Sequence, residues 1–150
     1  MSEEKTEEKS AIAEASTPQV VPKKKYEIML VDDDKFLLSM YTMKFTRQGM
    51  GVTAISRPTE ALEKLRTGFV PDILIVDVVM PEMDGIELLA KIREENLAKD
   101  SVVVVLSNQG QPSDIDRAKA FGIHGYIVKA TTIPSEVLRQ IIQIAEENGK

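Results

Sequence analysis

The stretch Ile73-Leu74-Ile75-Val76-Asp77-Val78-Val79-Met80-Pro81-Glu82-Met83-Asp84-Gly85 decides how the chain is read. Its four opening apolar residues are strand-sized and do not alternate with polar ones, which suits a strand buried on both faces of a parallel sheet. One acidic residue, Asp77, follows the run directly. Pro81 and Gly85 mark a turn, and Asp84 is placed to cap a helix carrying Ile86, Leu89 and Ile92. The unit is thus strand, acidic end, turn, helix.

A strand followed by a helix recurs on both sides. Apolar runs at Ile28–Val31, Val52–Ile55, Val102–Leu106 and Tyr126–Val128 read as further strands. Between them lie helical spacings. Leu37, Met40, Tyr41 and Phe45 repeat on one face, with Asp34 as the expected cap. Pro58 opens a helix through Ala61, Leu62 and Leu65, and Gly68 stops it. Ser113 is expected to cap a fourth helix with Ile115, Ala118 and Phe121, ended by Gly122. Pro134 opens the last, with Val137, Leu138, Ile141, Ile142 and Ala145 on one side. Strands and helices in strict alternation, with no internal repeat, predict an α/β fold, a parallel sheet between helix layers. Ligands of such folds bind beyond the carboxyl ends of the strands, where strand order reverses.

Composition removes several function classes. The chain has 150 residues, 43% hydrophobic and 29% charged, a globular balance for one domain. No apolar run is long enough for a membrane-spanning helix, and the Glu/Lys-rich start Met1–Ser10 does not read as a secretory signal. With no cysteine, disulfides, thiolate metal sites and thiol catalysis are excluded; with one histidine, His124, so is a multi-histidine metal site. A net charge of −5 argues against nucleic acid and anionic membranes as partners. Residues 1–25 balance five Glu against five Lys and hold little apolar surface, so they are expected to form a disordered tail ahead of a domain at 26–150.

The strand ends carry the chemistry. Asp32, Asp33 and Asp34 follow the first strand, Asp77 the third, Ser107 and Asn108 the fourth, and Lys129 the fifth. Clustered carboxylates repel unless a cation sits among them, and an all-oxygen donor set favours a hard ion, best Mg²⁺. A metal, an ammonium and a hydroxyl together suit the oxygens of a phosphoryl group. Neither G-x-x-x-x-G-K-[ST] nor G-x-G-x-x-G occurs, so nucleotide binding has no support. Asp34 has no evident chemical role beyond its cap. His124, in the turn before the fifth strand, is expected to be exposed and structural, and Met40, Met43, Met80 and Met83 to be packing residues.

These residues resemble the receiver domain of two-component response regulators, the CheY-like proteins. Four pieces carry the resemblance over about residues 26–147: Val31-Asp32-Asp33, the block Asp77 to Gly85, Leu106-Ser107, and Gly125-Tyr126-Ile127-Val128-Lys129. The resemblance implies a flavodoxin-like doubly wound (βα)5 fold with sheet order 2-1-3-4-5. Asp77 is then the phosphoacceptor. Asp32, Asp33, Asp77 and the backbone carbonyl of Val79 hold Mg²⁺, Asp33 directly and Asp32 through water. Lys129 and Ser107 contact phosphoryl oxygens, and Ser107 with Tyr126 forms the switch. Two departures stand out: Ala130 where the family usually has a cis proline, and Asn108 where it prefers a very small residue.

The implied function is that of a single-domain response regulator and not an enzyme. A sensor histidine kinase or phosphotransfer protein supplies the phosphoryl group. A downstream effector protein reads the face made by helix 4, strand 5 and helix 5. The chain ends after the fifth helix, so no output domain is expected; a cytoplasmic location and a monomer or phosphorylation-dependent dimer go with this reading. A phosphorelay intermediate that passes the group on is the alternative within the class. From a different class, an aspartyl-phosphate phosphohydrolase of the haloacid dehalogenase type needs a second Asp at position 79, where Val79 stands. A degenerate receiver that only docks proteins is disfavoured by the full set of acidic pair, acceptor, hydroxyl and lysine.

Overall fold

The computed structural model describes residues 24–108 and 110–150. Most of the expected tail, and Gln109, lie outside the described residues. Five strands alternate with five helices: β1 (Glu27–Val31), α1 (Lys35–Arg47), β2 (Gly51–Ile55), α2 (Pro58–Arg66), β3 (Ile73–Val76), α3 (Gly85–Glu94), β4 (Val102–Ser107), α4 (Pro112–Lys119), β5 (Gly125–Val128) and α5 (Pro134–Glu147). A short 3-10 turn, Lys129–Thr131, follows β5. All pairings are parallel and the order is β2-β1-β3-β4-β5, the flavodoxin-like order expected.

Successive side chains of a strand point to opposite faces, and the core divides accordingly. Ile28, Leu30, Ile73, Ile75, Val102 and Val104 turn towards α1 and α5. Met29, Val31, Leu74, Val76, Val103 and Val105 turn towards α2, α3 and α4. Every residue of β3 and β4 is buried, which explains why these strands read as unbroken apolar runs.

The caps fix where the helices begin. Asp34 Oδ1 accepts from the backbone N–H groups of Phe36 and Leu37 at 3.0 and 3.1 Å. Asp84 and Glu87 form a reciprocal capping box at α3, with bonds of 2.8 and 2.9 Å. Two expectations need correction. Ser113 does not cap α4: the helix begins at Pro112, and its cap residue Gln111 makes no side-chain cap bond, because proline's missing N–H suits the first turn without one. Met43 is not a packing residue, being 52% exposed on the outer side of α1, where Leu38, Tyr41 and Phe45 face the core.

Topology places the site. Strand order reverses between β1 and β3, and Val31 pairs with Val76 in the register. Asp32 and Asp77 therefore leave the sheet side by side. On the other flank Ser107 pairs with Val128, one residue before Lys129.

Candidate functional site

The strand ends converge on a cleft of about 270 Å³ lined by the acidic residues and Lys129, with Val79 and Asn108 at its wall. Carboxylate oxygens of Asp32, Asp33 and Asp77 lie within 4.8 Å of one another. Asp32 and Asp77 are only 2% and 6% exposed, whereas Asp33 is exposed. Both Asp32 oxygens are engaged: Oδ1 accepts from Asp34 N–H at 2.9 Å and Oδ2 from Lys129 Nζ at 2.9 Å. Lys129 Nζ stands 3.8 Å from Asp77 Oδ1, which accepts from Val78 N–H at 2.9 Å. Asp77 N–H itself donates to Val31 C=O, stitching the end of β3 to β1.

The loop after Asp77 is folded back tightly. Gly85 N–H donates to Val78 C=O at 2.7 Å. A Cβ on Gly85 would lie 1.9 Å from the Asp77 carbonyl oxygen, so only glycine allows this approach. Glu82 takes the left-handed backbone conformation, φ 74°. Two exposed ion pairs flank the loop: Arg57 with Glu82 at 3.2 Å and Arg117 with Asp84 at 3.7 Å. Neither was foreseeable, since each joins residues distant in sequence. At this exposure each contributes little stability.

On the opposite wall, Ser107 is fully buried and its side chain is hydrogen-bonded with the Tyr126 phenol. Tyr126 packs against the α2–α4 side of the core, so its ring is turned inward. Burial raises the phenol's pKa and the Ser107 bond opposes this. The described peptide bonds are all trans, Lys129–Ala130 included, and Lys129 still reaches the cleft.

Electrostatics follow from burial. Desolvation pushes the Asp77 carboxyl up to about 6; Lys129 pulls it down, and Asp32 and Asp33 add repulsion. A carboxyl whose pKa is raised by folding binds protons that the unfolded chain releases. Stability without metal therefore falls as pH rises from about 4 through about 6, and the whole cost is present above that. Each tenfold gain in the carboxyl's proton affinity costs the ionised form about 1.4 kcal/mol. Denaturant melts of the metal-free protein between pH 4.5 and 7.5 are expected to show this slope relative to Asp77→Asn. Parallel pH profiles for the two proteins would contradict it.

A family model described as the response regulator receiver domain matches residues 28–143. The chain belongs to the response regulator receiver domain family. Chemotaxis protein CheY1 of Helicobacter pylori strain J99 is 29% identical over 119 residues, covering 79% of this chain and 94% of that protein. The two-component response regulator ORR6 of Oryza sativa subsp. japonica is 32% identical, covering 75% of this chain and 66% of that one. Among solved structures, Vibrio cholerae chemotaxis protein CheY4 superimposes with a TM-score of 0.73 at 26% identity, covering 81% of this chain and 99% of that chain. The receiver is a phospho-accepting signalling module of two-component systems rather than an enzyme, and it works with a kinase or phosphodonor partner. Among the described residues no helix is long and apolar enough to cross a membrane.

Proposed function

We propose that the receiver takes a phosphoryl group on Asp77 from the phosphohistidine of a sensor histidine kinase or phosphotransfer protein. The observation that carries this reading is the convergence of Asp32, Asp33 and Asp77 within 4.8 Å beside Lys129. An Asp77 carboxylate oxygen attacks phosphorus. The P–N bond of the donor breaks, its electron pair stays on the imidazole, and an acyl phosphate forms. Lys129, already poised between Asp32 and Asp77, turns to a phosphoryl oxygen and balances its charge. Ser107 meets another oxygen, and Tyr126, bonded to Ser107, transmits that movement to the α4–β5–α5 face for an effector protein.

The donor set fits Mg²⁺. It offers oxygens only, and the exposed Asp33 carboxylate is available to an ion, while the engaged oxygens of Asp32 favour contact through water. Val79 lines the cleft, and its backbone carbonyl would be the fourth protein ligand. An ion bound by these residues would offset the carboxylate charge and supply Lewis-acid stabilisation to the phosphoryl group. The test is incubation with Mg²⁺ and a small acyl phosphate donor, read by intact mass. The gain of one phosphoryl group supports the reading, and no gain with a folded protein sinks it.

Val79 also bears on how long the acyl phosphate lasts. Its side chain is 56% exposed at the cleft wall and offers no donor or acceptor to orient an attacking water. Since positioning is a large part of such catalysis, Val79→Asn is expected to speed hydrolysis about three- to tenfold, on the order of 1 kcal/mol in barrier. The measurement is phosphate loss from purified protein in Mg²⁺ after donor removal. Decay unchanged or slowed by the substitution would assign control of the water to another group.

A further inference from the structure

At the end of the sheet away from the cleft, β4 and β5 are closed by a side chain. Val103 C=O accepts from the backbone N–H of His124 at 2.7 Å. Val103 N–H donates to His124 Nδ1 at 2.9 Å. The ring thus supplies the acceptor for Val103 where a backbone carbonyl of the preceding turn would otherwise serve. That turn is held elsewhere: Arg93, on α3, donates through Nε to Phe121 C=O at 2.8 Å and through a terminal nitrogen to Gly122 C=O at 3.3 Å. Gly122 itself has φ 75°. The α4–β5 turn therefore rests on one permanent cation and one neutral imidazole.

We infer that His124 is a proton-operated clasp on the β4–β5 edge, whose protonation frees Val103 N–H and loosens the α4–β5 turn. An Nδ1 that accepts a hydrogen bond cannot also carry a proton, so the cationic ring must leave Val103. Val103 is fully buried with the ring in place, so its N–H is shielded from exchange until the ring leaves. Desolvation of the ring holds the imidazole's pKa below the ordinary histidine range; repulsion from Arg93 of α3 adds to this, and a hydrogen bond with the Val103 backbone opposes it. The contribution of the clasp is complete above that ordinary range and is lost as pH falls through the lowered pKa.

The strand so fastened carries Tyr126 two residues on and leads into Lys129, so protonation of His124 acts on β5 from the end away from the cleft. The inference stands apart from the acceptor assignment, because neither Val103 nor His124 lies at the cleft.

The full chain holds a single histidine, so its imidazole proton resonance reports the titration without ambiguity. Hydrogen exchange of the Val103 amide, corrected for the intrinsic dependence on pH, reports the bond. As pH falls through the ring's own titration, read from that resonance, Val103 protection is expected to fall about tenfold or more. His124→Asn places an amide oxygen at the position of Nδ1 and cannot titrate, so its Val103 protection is expected to stay constant over the same range. Protection that survives the ring's titration in the wild-type chain overturns the inference, and so does an equal loss in His124→Asn. The wild-type measurement decides the matter even if the variant folds poorly.

Discussion

Asp77→Asn is expected to abolish phosphoryl uptake outright while leaving the fold intact. The amide matches the carboxylate in shape, keeps an oxygen for the Val78 N–H, and is a poor nucleophile. The same substitution removes a desolvated charge that lies beside two other carboxylates, so at neutral pH without metal the variant is expected to be more stable than the wild-type chain. The two effects have opposite sign, which separates lost chemistry from lost folding. Intact mass after incubation with Mg²⁺ and an acyl phosphate donor measures the first, and a thermal melt the second. Stable phosphate gained at the wild-type rate by Asp77→Asn would move the acceptor elsewhere.

Asp33→Ala is expected to remove most of the stabilisation that Mg²⁺ confers. Asp32 is occupied by Lys129 and the Asp34 N–H, and Asp77 by burial and the Val78 N–H, so Asp33 is the exposed carboxylate left to capture an ion. At about one hundred times its dissociation constant, a ligand specific for the folded state stabilises by ~2.7 kcal/mol. For a domain of this size that corresponds to a rise of roughly 5–12 °C in Tm. Wild-type protein titrated with Mg²⁺ is expected to show such a rise, and Asp33→Ala to show little of it. Protons compete for the same oxygens, so Mg²⁺ affinity is expected to weaken below the Asp77 pKa of about 6. Equal stabilisation of both proteins would remove Asp33 from the metal site.

Much of this was legible because the informative residues obey local rules. Ile73–Val76 is a buried strand by composition alone, and the residue that follows such a strand in a parallel sheet stands where ligands bind. Asp34, Asp84, Pro58 and Pro134 marked helix starts through the first-turn N–H groups, a requirement that does not depend on the rest of the fold. Ser113 misled because serine and proline compete for the same few positions, and proline's fixed φ prevailed. Met43 misled because helical spacing assigns a face only once the buried side of the helix is known.

Sequence alone determined the alternation of strands and helices, the strand-end residues and the all-oxygen donor set, because each depends on residues close together along the chain. Only the tertiary structure decided that Lys129 pairs more closely with Asp32 than with Asp77, at 2.9 against 3.8 Å. It alone gave Asp33 its exposure, raised the Asp77 pKa, turned Tyr126 inward onto Ser107 and set His124 against Val103. These outcomes depend on strand register and desolvation, which arise when segments dozens of residues apart pack together. No local pattern of side chains encodes them.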